Sequence, residues 1–95
     1  MMNFEEFKKS VAENIKDYLP EEYQNAQVTI QEVTKSNDIV LSGLMIRTED
    51  NNIAPNIYLE NFYQEYEEGK DFSEIMQTIS DVRVHNEIRS RKDKI

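Results

Sequence analysis

Cysteine is absent from this 95-residue chain, which excludes disulfides, thiolate nucleophiles and cysteine-ligated zinc. Histidine occurs once, as His85, so no site can draw two imidazoles from one chain. Glycine occurs only as Gly43 and Gly69, and neither belongs to a Gly-rich phosphate loop. The serines Ser10, Ser36, Ser42, Ser73, Ser80 and Ser90 lack the flanking glycines of a nucleophile elbow. No apolar run approaches membrane-span length, and Met1-Met2-Asn3-Phe4-Glu5-Glu6 has no basic segment followed by an apolar one. These absences argue against an enzyme and point to a cytoplasmic setting. No cofactor and no metal is expected.

A chain of this size has room for one core, so residues 1–95 are read as a single domain. It should bury roughly two-thirds of its extended surface and be stable by about 5–10 kcal/mol. A catalytic pocket is costly on that scale, since each unsatisfied buried polar group costs about 1–3 kcal/mol.

The net charge is −8 and unevenly spread. Residues 1–82 carry 17 acids against 6 bases, whereas residues 83–95 carry Arg83, Arg89, Arg91, Lys92 and Lys94 against Glu87 and Asp93. An acidic body repels phosphate backbones, which argues against a nucleic-acid-binding surface. The basic end reads as a complement to a helix dipole, frayed over residues 88–95.

Periodicity predicts an α+β fold of helix, three-stranded antiparallel meander and two helices packed on the sheet. Asn3 with Glu6 has the spacing of a capping box, and Phe4, Phe7, Val11, Ile15 and Tyr18 form one apolar stripe ended by Pro20. Residues 21–26 read as a turn or short helical cap. Gln27 to Lys35 alternates as a strand, although Val33 departs from the alternation. Ser36-Asn37-Asp38 is turn chemistry. Ile39 to Arg47 is the most apolar stretch and reads as the central strand, with Gly43 marking a bulge or the close approach of a packed helix. Glu49-Asp50-Asn51-Asn52 is a second turn, and Pro55 assigns a third strand at Ile53 to Leu59 to an edge. Leu59, Phe62, Tyr63 and Tyr66 then share helical spacing up to Gly69. Asp71 opens a last helix, with Glu74 three residues on and Phe72, Ile75, Met76, Ile79 and Val82 as its buried stripe, ending between Val84 and Arg91.

Three groupings could carry chemistry. Asp81 and His85, four apart on a helix, supply only half of a typical metal site. Glu65, Glu67, Glu68, Asp71 and Glu74 are dense in charge, but Gly69-Lys70-Asp71-Phe72 does not supply the alternating ligands of a calcium loop, and a solvated face accounts for them. Tyr58, Phe62, Tyr63 and Tyr66 could stack on bases, yet acids surround them where a stacking platform carries Lys or Arg. Core packing is their default role, with Tyr63 or Tyr66 at the core edge contributing to a protein-binding patch. The candidate binding residues are therefore Tyr58, Tyr63, Tyr66, Glu65, Glu67 and Glu68.

Five strings carry a resemblance: Asn3-Phe4-Glu5-Glu6-Phe7, Tyr18-Leu19-Pro20-Glu21-Glu22-Tyr23, Gln31-Glu32-Val33-Thr34-Lys35, Leu41-Ser42-Gly43-Leu44-Met45-Ile46-Arg47 and Asn52-Ile53-Ala54-Pro55-Asn56-Ile57-Tyr58-Leu59. Together they resemble the amino-terminal region of an uncharacterised domain-of-unknown-function family of gut-dwelling Gram-positive bacteria. That resemblance implies a bacterial, cytoplasmic setting, and a chain that is either a stand-alone version or an excised amino-terminal domain. It assigns no catalytic or binding residue. The element order is also similar to the double-stranded-RNA-binding domain, but the region that would meet RNA, Leu59 to Asp81, is the most acidic here, and fold does not imply function.

Two functions from different classes follow. The first is a non-enzymatic protein-binding or regulatory module, with the open edge at Ile53 to Leu59 and the Tyr-rich and final helices as docking elements. Its partner would be another protein, or a second copy in a homodimer, with no direct nucleic acid and no membrane. The second is an acidic mimic of nucleic acid that blocks a nuclease or other DNA-handling protein, resting on the acidity of residues 1–82. A small enzyme using Asp81, His85 and the acidic cluster has the least support.

Overall fold

The first helix starts where its capping chemistry directs. In the computed structural model, which describes residues 1–50 and 55–92, α1 spans Phe4–Asn14. Asn3 Oδ1 accepts from the Glu6 backbone N–H at 2.8 Å, and Glu6 Oε1 accepts from the Asn3 N–H at 3.0 Å. The reciprocal pair satisfies two of the donors that a helix start leaves unbonded, an arrangement worth about 1 kcal/mol. A 3-10 turn, Ile15–Asp17, follows, and Pro20 heads a second at Glu21–Tyr23. Phe7, Val11 and Ile15 are fully buried.

The sheet has the order β1-β2-β3 and is antiparallel throughout, with β1 at Gln27–Thr34, β2 at Val40–Arg47 and β3 at Ile57–Tyr58. Asn37 and Asp38 turn the first hairpin with φ of 67° and 61°, the left-handed conformation that Asn and Asp tolerate best among non-glycine residues. Helix α2 spans Glu60–Glu67 and ends before Gly69, whose φ of 103° lets the chain reverse. Helix α3 spans Phe72–Lys92. The expected fold class is the observed one: a helix, a three-stranded antiparallel meander, then two helices.

Alternation decides which sheet face is covered. Leu44, Ile46 and Ile57 point into the core beside Leu59, Ile75, Met76 and Ile79, with Val28 and Ile30 at its margin. Val33, Leu41, Met45 and Tyr58 occupy the opposite phase and belong to no part of that cluster. The helices therefore cover one face only.

Four expectations are refined. Paired β3 is two residues long, not a strand from Ile53 to Leu59; Ile53 lies outside the described residues, as do Asn51 and Asn52 of the second turn. Pro55, which lacks an amide donor, and Asn56 precede the pairing, and the strand does lie at an edge. Gly43 marks no bulge, because the β1–β2 register runs unbroken through Gln31↔Gly43. What approaches it is the Asn56 side chain, not a helix: a Cβ at Gly43 would meet Asn56 Oδ1 at 2.6 Å. Finally, α3 continues helically to Lys92 through most of the segment read as a tail, and residues 93–95 lie outside the described residues.

The largest departure concerns Arg83, read as part of a basic end. Its side chain is wholly buried. Nε donates to the Ile46 carbonyl at 2.8 Å, Nη1 pairs with Glu87 at 3.0 Å, and the guanidinium lies 5.1 Å from the Tyr23 ring centroid. One residue thus joins α3 to the end of the central strand and to the 3-10 turn after α1. Nη2 finds no acceptor among the described residues, so part of the desolvation cost is uncompensated.

Arg83→Ala should lower stability by about 3–5 kcal/mol, the cost of breaking a buried ion pair, and bring the domain close to unfolding. Arg83→Met with Glu87→Gln keeps volume and removes both charges, and should recover at least half of that loss in urea denaturation. Gly43→Ala should cost about 1 kcal/mol or more by displacing the Asn56 amide. Adding Asn56→Gly to Gly43→Ala should return much of it, readable as a shift in the thermal midpoint.

Candidate interaction surface

The residues singled out for binding divide between two regions. Tyr63 and Tyr66 are half-buried on α2, and their rings pack on Phe7 with centroids at 5.2 and 5.4 Å. Both hydroxyls are engaged by one residue: Tyr63 Oη donates to the Met2 carbonyl at 3.0 Å, and Tyr66 Oη accepts from the Met2 N–H at 3.1 Å. Partial burial pushes the Tyr63 hydroxyl above its ordinary range, with repulsion from Glu67, Tyr66 and Glu6 acting the same way. These two tyrosines fasten the amino terminus to α2.

Glu65 pairs with Lys70 at 3.5 Å, and Glu68 accepts from Gln64 at 3.4 Å. Glu67, Glu68, Asp71 and Glu74 are exposed along the end of α2 and the start of α3. Tyr58 stands apart from all of these, on the bare side of the sheet, with Lys35 Nζ 4.6 Å from its ring centroid.

Asp81 and His85 do border a depression. An open groove of about 470 Å³ runs between the 3-10 turns and α3, lined by Tyr18, Leu19, Pro20, Gln77, Ser80, Asp81, Val84, His85 and Ile88. Its walls are largely apolar, and Asp81 accepts from Gln77 at 3.0 Å. Among the described residues no three His, Cys, Asp or Glu side chains converge on a possible metal position.

A second surface is the bare face of the sheet. Tyr58 lies across from Gly43, Leu41 across from Val33, and Met45 across from Thr29. Gln31 Nε2 reaches over the face to Asn56 Oδ1 at 3.3 Å, and Arg47 Nε lies 3.0 Å from the Met45 sulfur. At the hairpin end Ile39 is 54% exposed, and Val40, 51% exposed, has the opposite phase, that of Leu44 and Ile46. Val33, Leu41, Met45 and Tyr58 are thus interleaved with the Gln31 and Asn56 amides, a mixed apolar and polar face between Lys35 and Arg47. Its signal in the sequence was Val33, the residue that broke the alternation of its strand.

Among the described residues no helix is long and apolar enough to cross a membrane. No curated protein and no solved structure shows significant similarity to the chain. A family model does match, over residues 4–94, from the first turn of α1 past the end of α3. The chain belongs to that family, the family of unknown function DUF5688.

Proposed function

We propose that this protein is a non-enzymatic, protein-binding or regulatory module working in the bacterial cytoplasm. The observation that carries the reading is the one-sided covering of the sheet. Val33, Leu41, Met45 and Tyr58 stand on a face to which no described helix contributes core contacts. Two of them, Leu41 and Tyr58, lie on neighbouring strands, the spacing at which apolar side chains form one contact. Lys35 and Arg47 flank the band with positive charge on an otherwise acidic chain, which suits a partner surface of mixed polarity.

The acidic-mimic alternative is supported by a different region. Glu6 and Glu67 act together on Tyr63, so the starts of the first helix and the end of the second bring acids of distant sequence to one corner. A mimic would bind basic nucleases with strong salt dependence, and Glu67→Lys with Glu68→Lys would abolish that binding.

Affinity capture from the native cytoplasm should recover a specific partner with the wild-type chain. Leu41→Arg with Tyr58→Ala should reduce that capture at least about tenfold, as expected for central contact residues, while leaving the unfolding midpoint nearly unchanged. Equal capture by both proteins, or capture by neither, would count decisively against the bare face as a docking surface.

A further inference from the structure

The free edge of the sheet points to a particular occupant. Ser42 on the central strand directs its backbone away from β1: its N–H donates to the Glu60 carboxylate at 2.8 and 3.0 Å, and its carbonyl accepts from the Leu59 N–H at 3.0 Å. Backbone direction alternates along a strand, so Leu41, Gly43 and Met45 face β1, and they pair there with Val33, Gln31 and Thr29. The Lys35 N–H, which donates to the Ile39 carbonyl at 2.7 Å, keeps the same phase at the hairpin end. The N–H and C=O groups of Val28, Ile30 and Glu32 consequently face outward, along an edge with no strand beyond it.

Sheet edges are ordinarily guarded by proline, lysine, a bulge or a short strand. Strand β1 is eight residues long, has no proline or lysine and pairs without a bulge; its single guard is one charge, Glu32, in the phase of Val28 and Ile30. Its side chains alternate between exposed and half-buried over residues 27–31, the pattern of a strand with one covered face and one bare face.

We propose that a second copy of this chain pairs with β1, strand to strand and antiparallel, about a two-fold axis at Ile30. The inference narrows the protein-binding reading to a self-partner at the edge and leaves the bare face for others. Ile30 then faces its own symmetry mate and Val28 faces Glu32 of the other copy, all through outward-facing backbone groups. The two Glu32 side chains stay about 13 Å apart, four strand residues, which is beyond the Debye length of roughly 8–10 Å. A shift of register that carries each Glu32 toward its mate brings two carboxylates together. The Ile30-centred pairing joins two sheets into one of six strands, with every helix on the same side and the two bare faces continuous.

Sedimentation or light scattering of the purified chain should report a mass twice the 11.3 kDa of one copy. Thr29 and Gln31 are exposed and face each other across the proposed pairing, outside the core. Thr29→Lys with Gln31→Lys should weaken association at least a hundredfold while the far-ultraviolet circular dichroism stays that of the wild type, even though the net charge falls from −8 to −6. Mixing that variant with Thr29→Glu/Gln31→Glu should restore the dimer. Because the chain has no cysteine, Thr29→Cys mixed with Gln31→Cys should form a disulfide-linked pair under mild oxidation, and neither alone should. A monomer at every attainable concentration overturns the proposal, as does a dimer that the lysine variant leaves intact or a crosslink formed by Gln31→Cys alone. A monomer that still captures a partner through Leu41 and Tyr58 would refute self-pairing and spare the protein-binding reading; a dimer that captures nothing would do the reverse.

Discussion

A buried guanidinium holds the layers of this domain in register. Arg83 lies under the core-facing side of the sheet, bonded to the Ile46 carbonyl and to Glu87 and stacked against Tyr23. Its hydrogen bond reaches the end of the central strand, which is paired on both sides. The same guanidinium lies over the Tyr23 ring, in the second 3-10 turn between α1 and the sheet. A buried ion pair contributes little net stability against an apolar substitute of the same volume. Its fixed donor directions allow few alternative arrangements, so it orients α3 where Ile75, Met76 and Ile79 alone would permit sliding.

With the helices confined to one side, no described element covers the outer face, and none pairs with the β1 edge. A sheet of three strands has two edges, and here they differ. The β3 edge is two residues long and preceded by Pro55, whereas the β1 edge is long, regular and almost uncharged. The aromatic residues of α2 pack on Phe7 and hold Met2, which leaves Tyr63 and Tyr66 half-buried at the edge of the core. Tyr58 stands on the outer side because β3 presents alternate residues to opposite faces.

Much of this was legible in the chain. Asn3 with Glu6, the stripe through Phe7, Val11 and Ile15, the Ser36-Asn37-Asp38 turn and Gly69 are local signals, and each acts within a few residues of where it is read. The edge position of β3 was legible because Pro55 lacks a donor. Arg83 was not legible as a core residue: charged side chains near a helix end are usually solvated, and burial here depends on Ile46, Tyr23 and Glu87 converging on it. Gly43 announced a close approach without saying by what, since its neighbour Asn56 is brought there only when β3 pairs with β2.

The sequence by itself determined the order and kind of the elements, because capping, periodicity and turn residues are local in their physics. It also determined the excluded chemistries, because a missing cysteine or a second histidine cannot be supplied by folding. Only the tertiary structure decided which sheet face is bare, which edge is open, and that an arginine closes the core. Those outcomes depend on contacts between residues such as Arg83 and Ile46, 37 apart in the chain, and no local pattern encodes that distance.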